Sequence, residues 1–89
     1  MHEQGVLGRH VVAGPGVSVA ATAIVEESVL FEAASVDGSA VVRRSILGAD
    51  ARVHAGATVV GSVLGEGAVV GVGATVREGR VRPGDRIEA

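Results

Sequence analysis

Aliphatic residues recur along this chain with a period of seventeen residues. They fall into three columns of anchor residues, and each turn of the repeat supplies one member to each column. The columns are Val25, Val42, Val59 and Val76; then Leu30, Leu47, Leu64 and Val81; then Val36, Val53, Val70 and Ile87. Upstream, Val19 and Ala13 continue two columns, but Gly8 interrupts the third. A fixed period of this length is typical of a repeat architecture.

A small residue stands two positions before every anchor in the three columns except Ile87. In a β-strand, residues i and i−2 point to the same face, so each anchor and its small neighbour predict one short strand with both side chains inward. Three such strands per period predict a triangular coil. The small residues are Ala23, Ser28, Ala34, Ala40, Ser45, Ala51, Ala57, Ser62, Ala68, Ala74 and Gly79.

Corners between the strands need residues that tolerate a positive φ. Gly, Asp or Ser stands three positions after many anchors, at Ser39, Asp50, Gly56, Gly67, Gly73 and Gly84. Helical periodicity is absent, and the frequent Gly and β-branched residues oppose a helix. We therefore predict an all-β, single-stranded parallel β-helix with a 17-residue (6+6+5) period and about four to five coils. Residues 1–12 are expected to form an irregular N-terminal segment, 13–87 the β-helix and 88–89 a tail.

Composition and charge narrow the choice of partners and location. The net charge is −2, so no basic field would attract nucleic acid or an anionic membrane. The chain has no Cys, which excludes disulfides and thiolate metal sites and favours the cytoplasm. Gly or a charged residue interrupts every apolar run well before the roughly 20 residues that a membrane span needs.

Two segments of the repeat carry a family resemblance. Residues 64–69 (LGEGAV) and 70–75 (VGVGAT) resemble bacterial transferase hexapeptide repeats, a likeness that implies a left-handed parallel β-helix. Residues 27–31 (ESVLF) and 41–48 (VVRRSILG) resemble the C-terminal domain of sugar-phosphate nucleotidyltransferases. The likeness is greatest to mannose-1-phosphate guanylyltransferase, and next to glucose-1-phosphate adenylyltransferase. It covers about residues 19 to 86.

The resemblance implies a role without chemistry of its own. In those enzymes catalysis belongs to an N-terminal α/β domain with a Gly-rich nucleotide loop, an adjacent Arg and Lys, and an Asp for Mg²⁺. This chain has no Lys and no such loop between a strand and a helix. We therefore expect a non-catalytic structural or oligomerisation module that has no catalytic, cofactor-binding or metal-binding residues. The alternative is a minimal hexapeptide acyltransferase-like enzyme whose site forms between subunits.

Three histidines bear on that alternative. Hexapeptide acyltransferases commonly use a His as general base, and γ-type carbonic anhydrases bind zinc through three. Here His2 and His10 lie in the irregular N-terminal segment, while His54 follows anchor Val53 at a corner beside Asp37 of the preceding coil. No two of them have the spacing of metal ligands, and we expect His54 to be a solvated corner residue.

Two further alternatives rest on exposed side chains. Glu26 and Glu27 should stack on Arg43 and Arg44 one coil later as ladders of opposite charge. An anion site would use Arg43, Arg44, Arg77, Arg80, Arg82 and Arg86, but neighbouring Glu and Asp residues neutralise most of them. Ice binding would need outward Thr arrays, and of these only Thr58 and Thr75 align.

The outward position before each second-column anchor carries an aliphatic residue in three successive coils. These residues are Val29, Ile46 and Val63, with Phe31 just past the corner. A solvated face should be polar there, so we predict an interface made by these four residues. The alternative is that β-branched residues simply suit strands. The expected partner is another copy, with a trimer favoured over a dimer, and a nucleotidyltransferase catalytic domain is a further candidate.

Overall fold

The computed structural model describes residues 6–7 and 10–88, and throughout these residues the chain consists of short parallel strands and tight turns without a helix. Three five-stranded sheets run along the molecule. The first sheet contains β1 (Val6–Leu7), β4 (Ile24–Glu26), β7 (Val41–Arg43), β10 (Thr58–Val60) and β13 (Thr75–Arg77). The second contains β2 (Val12–Ala13), β5 (Val29–Leu30), β8 (Ile46–Leu47), β11 (Val63–Leu64) and β14 (Arg80–Val81). The third contains β3 (Ser18–Val19), β6 (Ser35–Val36), β9 (Arg52–Val53), β12 (Val69–Val70) and β15 (Arg86–Ile87).

Each strand pairs with the strand one coil later, at the predicted offset. Leu30 pairs with Leu47 and Leu47 with Leu64, seventeen residues apart each time. The predicted all-β class, the parallel stacking of coils and the seventeen-residue period are thus confirmed. The left-handed sense stays a prediction from the resemblance.

The first coil is one residue longer than the others. Leu7 pairs with Val25, eighteen residues later, so Leu7 and not Gly8 lies in the first column. Strand β1 therefore falls inside the segment 1–12 that we expected to be irregular, and β2 begins at its last residue. Because the extra residue shifts the first column by one position, a search at a constant period of seventeen does not find Leu7 as a member of that column.

The interior is filled by the anchors and their small neighbours. Nearly all anchors are buried, and the Ala residues two positions before them are almost fully enclosed. Val76 and Ile87 in the last coil are only partly buried, because no coil among the described residues covers them. Burial of each anchor contributes about 1.5 to 3 kcal/mol, and it requires a coil on either side.

The corners adopt the predicted left-handed conformation. All six residues predicted from the spacing have φ between 61° and 76°: Ser39, Asp50, Gly56, Gly67, Gly73 and Gly84. A second kind of corner was missed. It lies between the first and second columns, where anchors are five residues apart, so the positive φ comes two positions after the anchor. This corner is formed by Glu27, Arg44, Gly61 and Glu78, with φ from 47° to 58°.

Three stacked serines line this second kind of corner from inside. Ser28, Ser45 and Ser62 are at most 2% exposed. Each hydroxyl donates to the carbonyl oxygen two residues earlier, at 2.7 to 2.8 Å. Each also accepts the amide N–H of the equivalent residue one coil later, with N to Oγ distances of 3.1 Å at Ser45 and Ser62 and 3.2 Å at Gly79. We call these three residues the serine ladder.

Candidate interaction surface

The outer face of the second sheet carries a continuous row of aliphatic side chains. In β5, β8, β11 and β14 the first residue points outward and the second is buried, while both residues of β2 in the first coil are exposed; strand pairing aligns the first residues. The row consists of Val12, Val29, Ile46 and Val63, and we call it the apolar ridge. Val12 is 62% exposed, Ile46 39% and Val63 40%. Arg80 continues the row in the last coil.

The structure brings the four predicted interface residues together and adds one. Val29, Ile46 and Val63 lie in register on adjacent strands, and Phe31, 51% exposed, lies beside them after β5. Val12 was missed, although it stands seventeen residues before Val29. The expectation of an irregular segment up to residue 12 excluded it. Whether this surface is an interface stays a prediction.

A column of glycines runs alongside the ridge, on the other side of the second-sheet anchors. Gly14, Gly48 and Gly65 occupy the position that Phe31 takes in its own coil. A Cβ on Gly48 would lie 2.8 Å from the Glu66 amide nitrogen. A Cβ on Gly65 would lie 2.6 Å from the nitrogen of Pro83. The close approach of successive coils thus requires glycine at Gly48 and Gly65, so that Phe31 and Arg82 are the large side chains in this column.

The other two outer faces differ from the second sheet. Ile24 is 38% exposed on the first sheet and Val41 is half-buried, but Thr58 and Thr75 follow them. The third sheet presents Ser18, Ser35, Arg52, Val69 and Arg86 in succession. On the second sheet the aliphatic row thus spans four strands, whereas on the first sheet Val6, Ile24 and Val41 form a row of three before Thr58.

Of the two charge ladders that the coil spacing predicts, one forms an ion pair. The Arg43 Nε lies 3.2 Å from the Glu26 Oε1, which confirms this ladder. The corresponding prediction for Glu27 and Arg44 is wrong: no ion pair joins these two described residues. Both have a positive φ, of 48° and 47°, which takes them out of strand geometry.

His54 occupies the corner position that was predicted for it. Its Nδ1 lies 3.2 Å from Asp37 Oδ2 of the preceding coil, and the imidazole is 31% exposed. His10 lies at a turn, and His2 is outside the described residues. Within residues 6–7 and 10–88, no group of three His, Asp or Glu side chains could hold a metal ion.

Two surface depressions of the described chain have charged linings of mixed sign. One is lined by Glu26, Glu27, Arg43, Arg44 and Val60, so that acidic groups face the arginines of the alternative anion site. Another is lined by Gly71, Val72, Arg86 and Glu88, and there Arg86 Nε lies 2.8 Å from Glu88 Oε2. Among the described residues, no helix has the length and apolarity that crossing a membrane would take.

The repeat, the stacked coils and the small residue before each anchor together define a hexapeptide-repeat β-helix. Comparison with protein families narrows this class. The model of the GMPPB C-terminal domain matches residues 1–89, and the chain belongs to this family. The match confirms the resemblance to the C-terminal domain of mannose-1-phosphate guanylyltransferase. No curated protein matches the chain.

Proposed function

We propose that the chain is a non-catalytic assembly module of a sugar-nucleotide transferase, acting in the cytoplasm. Membership of the GMPPB C-terminal domain family supports the link to such an enzyme. The observation that carries the assembly role is the apolar ridge, which runs through four successive coils with Phe31 beside it. A row of this length left in water favours association.

Sedimentation of the purified chain tests the proposal. At tens of micromolar we expect an oligomer, and the Ile46→Arg, Val63→Arg double variant should shift towards the monomer because two charges then occupy the apolar ridge. The matched control is a pair of single variants: Ile46→Arg on the second sheet and Ile24→Arg on the first, where the wild-type isoleucines are 39% and 38% exposed. A monomeric wild-type chain, or equal effects of the two single variants, would contradict the proposal.

A hexapeptide acyltransferase-like activity is the second candidate, because His54 and Asp37 have the hydrogen bond of a base and its orienting carboxylate. The pair lies on an exposed corner next to the third sheet, away from the apolar ridge. We expect the chain to transfer no acetyl group from acetyl-CoA and to form or cleave no nucleotide sugar. Turnover that His54→Ala abolishes would favour this candidate instead.

A further inference from the structure

On the side of the apolar ridge next to the first sheet, the charges change sign between the second and third coils, whereas on the other side Glu32, Asp50 and Glu66 are all acidic. Glu26 and Glu27 precede Val29, whereas Arg43 and Arg44 stand at the same positions before Ile46. Glu27 and Arg44 are exposed corner residues, and neither makes an ion pair within the described part of the chain. This edge of the face thus carries negative charge in the second coil and positive charge in the third.

A row of charges that changes sign at its midpoint is complementary to a second copy of the same row rotated by 180°. A two-fold axis that runs along the strands reverses the order of the coils and keeps the strand direction. If the axis passes between β5 and β8, the second coil of one copy faces the third coil of the other. Glu27 then faces Arg44 of the second copy, and the two-fold symmetry makes this contact twice.

The apolar side chains agree with the same axis. Val29 faces Ile46 of the second copy, and Val12 faces Val63 of the second copy. The apolar ridge of each copy is therefore covered by the ridge of the other. Phe31 faces Gly48 of the second copy, where no side chain obstructs the ring. Arg80 and the rest of the last coil extend beyond the overlap and stay in solvent.

We infer that the outer face of the second sheet binds a second copy of this chain in an antiparallel, two-fold dimer centred between β5 and β8. This inference rests on the proposed function and specifies its partner and geometry. It replaces the trimer that the resemblance to stand-alone hexapeptide proteins favoured.

The principal competing arrangement fits less well. A two-fold axis along the solenoid sets equal coils face to face and reverses the strands. With the axis over the second-column anchors it pairs Arg44 with Asp50, but it also presses Val29 against Phe31 and sets Arg80 against Arg82. With the axis over the apolar ridge it sets Arg80 against Arg80 of the second copy. Like charges and crowded side chains both oppose association. The antiparallel arrangement has neither conflict at these positions.

The overlap predicts a weak dimer. Four coils at about 4.8 Å spacing give a face of roughly 20 Å by 20 Å, hence a total buried area on the order of 800 Å². An interface of this size is at the low end for specific complexes, and we expect dissociation in the micromolar range. The face dimensions used in this estimate agree with the principal extents of the molecule, which are 30, 21 and 17 Å.

Mixing two charge-reversal variants tests the geometry. Glu27→Arg alone should set two arginines against each other at each contact, and Arg44→Glu alone should set two glutamates against each other. Each variant should therefore dimerise about tenfold more weakly at low salt. An equimolar mixture of the two should recover heterodimers, because every contact is then between opposite charges. Sedimentation and labelled-chain titration measure both effects. Mixing cannot repair an effect on folding within one chain, so recovery reports the interface.

Arg77→Glu is the matched control, because Arg77 is exposed in the last coil outside the overlap and should not alter dimerisation. A wild-type trimer, or an oligomer whose two charge variants are not rescued by mixing, would overturn the antiparallel dimer and leave the assembly role intact. A wild-type chain that stays monomeric at several hundred micromolar would refute both proposals.

Discussion

The serine ladder allows a prediction about folding stability that does not depend on the proposed interface. In Ser45→Ala, the amide N–H of Ser62 loses the hydroxyl oxygen that accepts its hydrogen bond at 3.1 Å. Ser62 is 1% exposed, so water has little access to this N–H. The carbonyl oxygen of Arg43 also loses a donor, but it keeps the N–H of Gly61 at 2.9 Å. The main cost is therefore one buried amide without an acceptor.

Such a group costs about 1 to 3 kcal/mol, and for a chain of this size 1 kcal/mol shifts the melting temperature by roughly 4 to 8 °C. We expect Ser45→Ala to lose about 2 kcal/mol and to melt about 8 to 16 °C lower. Thermal and urea unfolding followed by circular dichroism measure the change. The protein concentration must be fixed, because association raises the apparent stability.

Ser35→Ala is the matched control. Ser35 is half-buried and points outward on the third sheet, so its replacement should change the stability by less than about 0.5 kcal/mol. Equal losses in the two variants would refute the reasoning, since the ladder would then contribute no more than an ordinary surface hydroxyl.

Two further substitution pairs test the register and the coil spacing. Val53→Asp should unfold the chain, because Val53 is 0% exposed and its replacement buries a carboxylate without a partner. Thr58→Asp, on the outer face of the first sheet, should have only a mild effect on stability. If urea unfolding shows the same stability for both variants, the register is contradicted. Gly48→Ala should lose about 1 to 3 kcal/mol because the new Cβ meets backbone atoms at 2.8 Å, whereas the Cβ of Gly79→Ala has no neighbouring atom closer than 3.6 Å. Comparable melting temperatures of the two variants would show that the coils can spread at no cost.

The architecture could be predicted because one geometric rule acts at every coil. An inward anchor, a small inward neighbour and a corner residue with positive φ recur at fixed spacing, and stacking enforces the same spacing on each coil. Ser39 and Asp50 adopt φ of 61° and 62°, as their positions predict. The one-residue insertion before Val25 could not be found in this way, since it breaks the constant period only once.

The side-chain network could be predicted only in part. Ser45 and Ala51 are equally small inward residues, and the pattern does not tell that the serine hydroxyl binds an amide of the next coil. The ion pair of Glu26 with Arg43 follows from strand pairing, whereas Glu27 and Arg44 lie at a corner whose conformation the spacing did not indicate. The aliphatic row on the second sheet was visible in the sequence, but its extension to Val12 depended on the length of the first coil.

The outer faces are the part of the described fold whose residues change in character from coil to coil. The anchors and their alanine and serine neighbours fill the interior of the described coils. The outward residue of each strand varies from coil to coil. Because the coils stack in register, these outward residues form straight rows along each sheet. On the second sheet the row stays aliphatic through four coils and ends at Arg80, while the charges beside it invert between Glu27 and Arg44. The partner proposed above, lying against this row, would account for its aliphatic character.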